Sequence, residues 1–429
     1  MSRSPSSVLT SVAPARATAA AEARLAPTAA RLPVRLSDKA AFALFVSLVI
    51  SFISGSSAPT PLYSVYQAAW GFSPITVTII FGVYAVAVLG TLLVAGALSD
   101  HVGRRPVLVV ATAMQIIAMA MFARANGVGL LLGARIVQGI ATGAAAAAVG
   151  AAMIDVDRTR GTLANAVAPM IGTAMGALLG GVLVQYAVAP TLLVYAVLGG
   201  ILIVQLVLLA FVRETAARRP GALASLRPHV QLPRDVRGPL LVAAPALIAA
   251  WALPGFYGSL GPALVRRLLG TQSLAAGGAA LGVLAASAAV VILATRTHEP
   301  RRLMRAGSAA LAAGVALTIA AMSSASALTF FVGAAIAGGG FGAAFQGAIR
   351  SVLPLAAADE RAGVLSIIYV IAYLAFGVPA VLAGLRVVHG GGLVVTAREY
   401  GVGVIALAVI ALAGSFMRMS RRVAIALPR

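Results

Sequence analysis

Long apolar stretches recur along the whole of this 429-residue chain, separated by links of only a few polar residues. Each stretch approaches or exceeds the roughly 20 residues that a helix needs to cross a hydrocarbon core. Inside hydrocarbon every backbone N–H and C=O must find its partner within the segment or in a closed barrel, and runs of this length read as helices. Charged residues are 10% of the chain and apolar ones 61%, against roughly a quarter charged in a soluble domain. The fold class expected is therefore all-α and integral to a membrane.

Twelve transmembrane spans are expected: Ala40–Tyr66, Pro74–Leu98, Pro106–Ala123, Val128–Ile154, Thr162–Ala187 and Pro190–Val212, then Pro239–Val265, Ser273–Thr295, Leu303–Met322, Ala327–Leu353, Gly363–Leu385 and Tyr400–Met417. The longest polar link, Arg213–Gly238, carries six arginines and divides them into two sets of six. The implied organisation is a tail over residues 1–36, a six-helix bundle over 37–213, a linker over 214–238, a second bundle over 239–418 and a tail over 419–429. The first tail is rich in Ala, Ser, Pro and Arg without apolar periodicity, which reads as disorder on the cytoplasmic side and not as a signal peptide.

Charge placement tests the count. With the amino terminus inside, 26 of the 32 basic residues fall on inner segments. Outer links hold Arg124, Arg266, Arg267, Arg386 and Arg398, and Arg135 alone lies inside a span. That bias is the positive-inside pattern with both termini cytoplasmic. The net charge of +21 then reports topology and anionic lipid at the cytoplasmic face, with no nucleic acid implied. The chain has no cysteine, which removes disulfides and thiol chemistry. Arginine outnumbers lysine 31 to 1, the usage of a GC-rich bacterium, hence an inner-membrane location.

The two halves echo each other at an interval of about 200 residues. SGSSAPTPLY (Ser54–Tyr63) matches FYGSLGPALV (Phe256–Val265), with Pro61 against Pro262. Asp157 aligns with Asp359, and Arg104–Arg105 with Arg301–Arg302. Paired six-helix repeats with broken helices at corresponding places point to a transporter whose site lies between the halves.

The link GALSDHVGRRPVL (Gly96–Leu108) closely resembles the signature of the major facilitator superfamily, Gly-x-Leu-Ala-Asp-Arg-x-Gly-Arg-Lys. Gly96, Leu98, Asp100, Gly103 and Arg104 stand at matching positions, with Arg105 for the terminal lysine; Ser99 and His101 depart from it. Gly103 allows a tight turn, and Asp100 can face both an arginine and a neighbouring helix amino terminus. These five polar or small residues, Gly96, Asp100, Gly103, Arg104 and Arg105, are the expected conformational latch. LLLGARIVQGIATGAA (Leu130–Ala145) resembles the family's second motif through Arg135, Gln138 and Gly139, and the resemblance implies a coupling role for that arginine. GTAMGALLGG (Gly172–Gly181) resembles its antiporter motif, but Ala177 replaces the proline. Glycines four apart there already suit close helix packing.

What the resemblance implies is a secondary active transporter working by alternating access on a small organic molecule, with proton-coupled efflux expected and metabolite uptake by a symporter or facilitator of the same fold as the alternative. Substrate would sit at mid-depth between the halves, and the uncharged polar candidates are Tyr63, Asn165, Trp251, Tyr257, Gln346, Tyr369 and Tyr373. Aromatic rings with amides suit a small, partly apolar molecule. By these limits no acidic residue lies in mid-membrane and the histidines His101, His229, His298 and His389 lie in links. An intramembrane enzyme or metal centre lacks its chemistry, and no segment reads as a channel's selectivity ring. No metal or cofactor is expected, and the chain is expected to work as a monomer.

Overall fold

The computed structural model describes residues 35–228, 232–270, 273–357 and 360–426. The first tail apart from Arg35 and Leu36, together with His229 and Asp359, lies outside the described residues. The first half of the chain contributes α1 (Asp38–Ser57), α2 (Tyr63–Trp70), α3 (Pro74–Ala95), α4 (Leu98–Val102), α5 (Arg104–Ala123), α6 (Val128–Val156), α7 (Arg158–Tyr186) and α8 (Pro190–Leu209). The second contributes α9 (Arg234–Ser259), α10 (Gly261–Leu269), α11 (Leu274–Ala294), α12 (Pro300–Ser324), α13 (Ala327–Val352), α14 (Arg361–Arg386) and α15 (Gly392–Ala426).

Among the described residues eleven helical stretches are long and apolar enough to cross a membrane. The last, Arg361–Phe416, runs for 56 residues, roughly 84 Å at 1.5 Å per residue, against a hydrocarbon core of about 30 Å. It is interrupted where His389 and Gly390 leave helical geometry, Gly390 at φ 102°. The final helix is longer at both ends than the sequence pattern indicates. It begins at Gly392 and continues through Ala426, so most of the tail expected over 419–429 is helical.

The broken helices have identifiable causes. The first expected span does not run through to Tyr66. It stops after Ser57, because Pro59 and Pro61 offer no N–H to the preceding turn, and resumes as α2. The seventh is interrupted at Leu260, just before Pro262 in the first turn of α10. Side chains cap several helix starts: Ser37 accepts from Ala40 N, Asp157 from Arg160 N and Ser326 from Thr329 N, satisfying N–H groups that lack intrahelical partners.

One core gathers Phe45, Leu48, Met119, Phe122, Leu131 and Tyr195 from the first half. A second gathers Phe256, Leu284, Leu311, Phe330 and Phe341, and a third Val236, Leu247 and Ile368, from the second half. The outside is the reverse of a soluble protein, with exposed Val86, Val110, Val204 and Val290. Small residues let backbones approach where no hydrophobic drive exists between helices. A Cβ at Gly314 would lie 2.7 Å from Ala337 Cα, and one at Gly340 2.7 Å from Leu311 Cα; with Gly307 on α12 and Gly333 and Gly347 on α13, glycines seven apart seal the two helices. The stripe Gly172, Gly176, Gly180 is likewise buried on α1, where a Cβ at Gly172 would meet Ile50 O at 2.8 Å.

Candidate functional site

Three polar or aromatic constellations occupy the places that the fold leaves for function. The first is the link between α3 and α5. Gly103, at φ 102°, turns the chain from the short α4 into α5 in a conformation that L side chains resist. The Arg104 guanidinium pairs with Asp100, donates 2.8 Å to Ser99 Oγ and reaches Asp155 Oδ2 at 3.4 Å, at the end of α6. The anion at the amino terminus of α5 is not Asp100, as the motif's spacing indicated, but Glu214. Its carboxylate accepts from Arg104 N at 2.7 Å and Arg105 N at 3.1 Å. Glu214 is delivered from the far end of α8, a distance in sequence that no local pattern signals. Three further bonds fasten the same segment: Arg105 Nη2 to Ala210 O at 2.7 Å, Thr215 Oγ1 to Asp155 Oδ2 at 3.1 Å, and Arg219 N to His101 O at 2.9 Å. Gly96 ends α3, where a Cβ would press on the Leu92 carbonyl.

The second half repeats this cap by another route. Glu299, adjoining α12, accepts from Arg301 N at 3.0 Å and Arg302 N at 2.8 Å. Burial is the largest single influence and raises the pKa of this carboxyl, but the two N–H groups and the charges of Arg301 and Arg302 together outweigh it and hold the group below the ordinary glutamate value.

The second constellation surrounds Arg135 on α6, which is fully buried. Its Nε donates to Tyr63 Oη at 2.8 Å, its Nη1 to Ser56 O at 2.9 Å and to Gln138 Oε1 at 2.6 Å, and its Nη2 to Tyr63 Oη. Gln138 Nε2 in turn donates 2.9 Å to Gly55 O. The guanidinium carbon lies 5.6, 5.3 and 5.4 Å from the ring centres of Tyr63, Tyr84 and Phe122, within range of cation–π attraction. Among the described residues no carboxylate pairs with it. An arginine at the centre of a membrane helix costs about 2.5–3.5 kcal/mol on insertion scales; Arg135 lies about two turns into α6, where the cost is smaller, and this dipole-and-ring cage offsets part of it. Gly139 is the residue that lets α6 reach α3, since a Cβ there would lie 2.9 Å from Tyr84 O.

The third lies where the two bundles meet. The ring of Phe81 on α3 meets that of Phe376 on α14 at 4.7 Å between centres, tilted by 32°, and a Cβ at Gly377 would be 3.3 Å from Ala85. On the other flank α7 meets α11, with Gly181 approaching Ala275 and Gly282 approaching Leu178. Phe81, Phe376, Gly377, Leu178, Gly181, Ala275 and Gly282 lie in the halves of their helices remote from the Gly96–Arg105 link, with Ala85 at mid-helix. Inward of them Trp251 on α9 anchors an aromatic wall with Phe345 at 5.3 Å, Tyr373 at 5.5 Å and Phe376 at 6.1 Å. The indole Nε1 is buried without a partner.

The seven sequence candidates separate. Trp251 and Tyr373 share the wall; Gln346 follows Phe345 on α13, and Tyr369 lies a turn before Tyr373 on α14, all half-buried. Tyr63 is committed to Arg135. Tyr257 is buried inside the second bundle near Thr318 and Phe330, in a small cavity whose lining includes Tyr400. Asn165 turns back to Gly150 O at 3.0 Å. Sequence reasoning missed Tyr84, Phe345 and Phe376; in an apolar span a phenylalanine facing the partner bundle looks like one facing lipid.

Among the described residues, eleven helical stretches long and apolar enough to cross a membrane, with an aromatic wall where helices of the two halves of the chain meet, describe a multi-pass membrane protein. The model of the Major Facilitator Superfamily matches residues 41–270, more than half of the chain, and the chain belongs to that superfamily. A crystal structure of the nucleoside transporter NupG, as a point mutant, aligns with 86% of this chain and 98% of its own, at a TM-score of 0.67 and 10% identity. At that identity the likeness establishes the fold.

Proposed function

We propose that this chain is a secondary active transporter that exports a small, partly apolar organic molecule by alternating access. The observation that carries the reading is the one-sided closure: the bundles meet at Phe81–Phe376 and Gly181–Ala275, and the Trp251 wall lies behind that closure. The chain crosses twelve times, because α14 and α15 together are far too long for one passage, and its bundles span residues 37–213 and 239–418 with 214–238 as the linker. Both termini and the Gly96–Arg105 link face the cytoplasm of a bacterial inner membrane, on the side holding most of the arginines, with anionic lipids against that face. The state described is then inward-facing. Gly96, Asp100, Gly103, Arg104 and Arg105 act as the latch, with Glu214 and Asp155 as its fixed partners. Arg135, Gln138 and Gly139 form the coupling layer, with the proton gradient as driving force and a monomer as the working unit.

The name of the structural neighbour favours a second reading, entry of a nucleoside-like heterocycle against the same aromatic wall. Proteoliposomes test both. With an imposed pH gradient, export predicts that aromatic substrates leave the compartment facing the basic links faster than from protein-free vesicles. Gradient-independent equilibration would remove the coupling, and the reverse direction would select uptake.

A further inference from the structure

The interior of the first bundle holds a positive charge that nothing nearby neutralises. Arg135 is fully buried, and its partners are a tyrosine hydroxyl, a backbone carbonyl and an amide oxygen. These orient negative ends toward the guanidinium, but their net charge is zero. The eleven acidic residues of the chain include none between Lys39 and Leu98 or between Ala164 and Arg213, and of the described acids of the second half Asp235, Glu299 and Glu360 lie at helix starts while Glu399 pairs with Arg386. Asp155, the acid nearest in sequence to Arg135 on α6, lies some five turns away and is engaged by Arg104 and Thr215.

The charge also lies close to the bundle interface. Tyr84, whose ring centre is 5.3 Å from the guanidinium, is on the same stretch of α3 as Phe81 and Ala85, which meet Phe376 and Gly377 of α14. One aromatic layer therefore separates Arg135 from the wall of Trp251, Phe345 and Tyr373. In a medium of low dielectric a single charge acts over such a distance with little screening. At the basic face Arg160 is paired with Asp157, while Arg158 and Arg361 stand exposed at the starts of α7 and α14. A positively charged approach steers anions and repels cations.

We infer that the transported molecule is an aromatic organic anion, a carboxylate or sulfonate on a planar ring, and that Arg135 is the residue determining its charge. This rests on the transporter reading above and adds the sign of the cargo. The rings stack on the Trp251 wall while the anionic group faces the α3–α6 side. Arg135 acts through space, as a fixed charge screened by Tyr84, and not as a direct ligand in this state.

The test uses permanently charged probes of one shape, naphthalene-2-sulfonate and (2-naphthyl)trimethylammonium, with uridine as a neutral comparison. Binding to the purified protein is measured by titration and transport in proteoliposomes. The sulfonate should bind tighter than the ammonium by on the order of a hundredfold, because one charge at ~10 Å and an effective dielectric of ~20 attracts the first probe as strongly as it repels the second. Gln138→Glu is the decisive variant: the new carboxylate replaces the amide oxygen 2.6 Å from Nη1, cancels the charge nearly isosterically and should bring the ratio close to one. Arg135→Lys should keep the preference. Equal or better binding of the ammonium, a ratio unaltered in a folded Gln138→Glu protein, or preference for uridine would each overturn the inference while leaving a transporter. Failure of all three probes to bind or move would overturn both.

Discussion

Opening of the closed side is governed by the α7–α11 crossing, and Gly278 is the residue at which to force it. A Cβ at position 278 would press on the Ala177 carbonyl, and Gly181 Cα lies 3.2 Å from that Cβ position. No flexible side-chain tip stands there to yield, so Gly278→Leu cannot be accommodated while the two helices touch. Overpacking of this kind costs about 1–3 kcal/mol. Alternating-access states differ by a few kcal/mol, and 1–3 kcal/mol is a roughly 5- to 150-fold change in their ratio. Because the strain falls between bundles and not within one, the substitution should shift population without unfolding either. The chain has no cysteine, so spin labels can be placed at will on exposed Tyr186 and Val395 at the closed side, and on Ile154 and Leu355 at the other. Pulsed electron–electron distances should lengthen across the first pair and shorten across the second. Gly200→Leu, at a position with open space around it, should leave both unchanged. A folded Gly278→Leu protein with wild-type distances would refute the assignment of this crossing as the gate.

Two further outcomes follow from the carboxylate caps. Glu214→Ala leaves two N–H groups at the start of α5 without their acceptor and should cost about 1–2 kcal/mol, read as a lower unfolding midpoint together with faster protease cleavage between Arg213 and Gly238; unchanged cleavage would mean that the strap is held by Thr215 and Arg219 alone. Glu299, with its pKa depressed, contributes stability that is complete above the ordinary glutamate pKa and is lost as pH falls through the lowered folded value. Glu299→Gln should therefore narrow the stability difference between neutral and acid conditions, and thermal unfolding at a series of pH values would show an unaltered profile if the cap contributes nothing.

Much of this architecture was legible in the sequence because it depends on local physics. Runs of apolar residues dictate membrane helices whatever their neighbours, since an unpaired backbone group in hydrocarbon costs several kcal/mol. Pro61 and Pro262 marked the interruptions that separate α1 from α2 and α9 from α10. The stripe Gly172, Gly176, Gly180 announced close packing, and the motif residues around Asp100 and Arg135 marked segments that the fold ties into polar networks. The tertiary structure alone decided who partners them. Glu214 reaches Arg104 across 110 positions, Tyr63 reaches Arg135 across 72, and Phe81 meets Phe376 between bundles. Each pairing depends on how whole helices pack, and in an apolar helix every face carries similar residues, so periodicity does not reveal which one meets protein and which meets lipid.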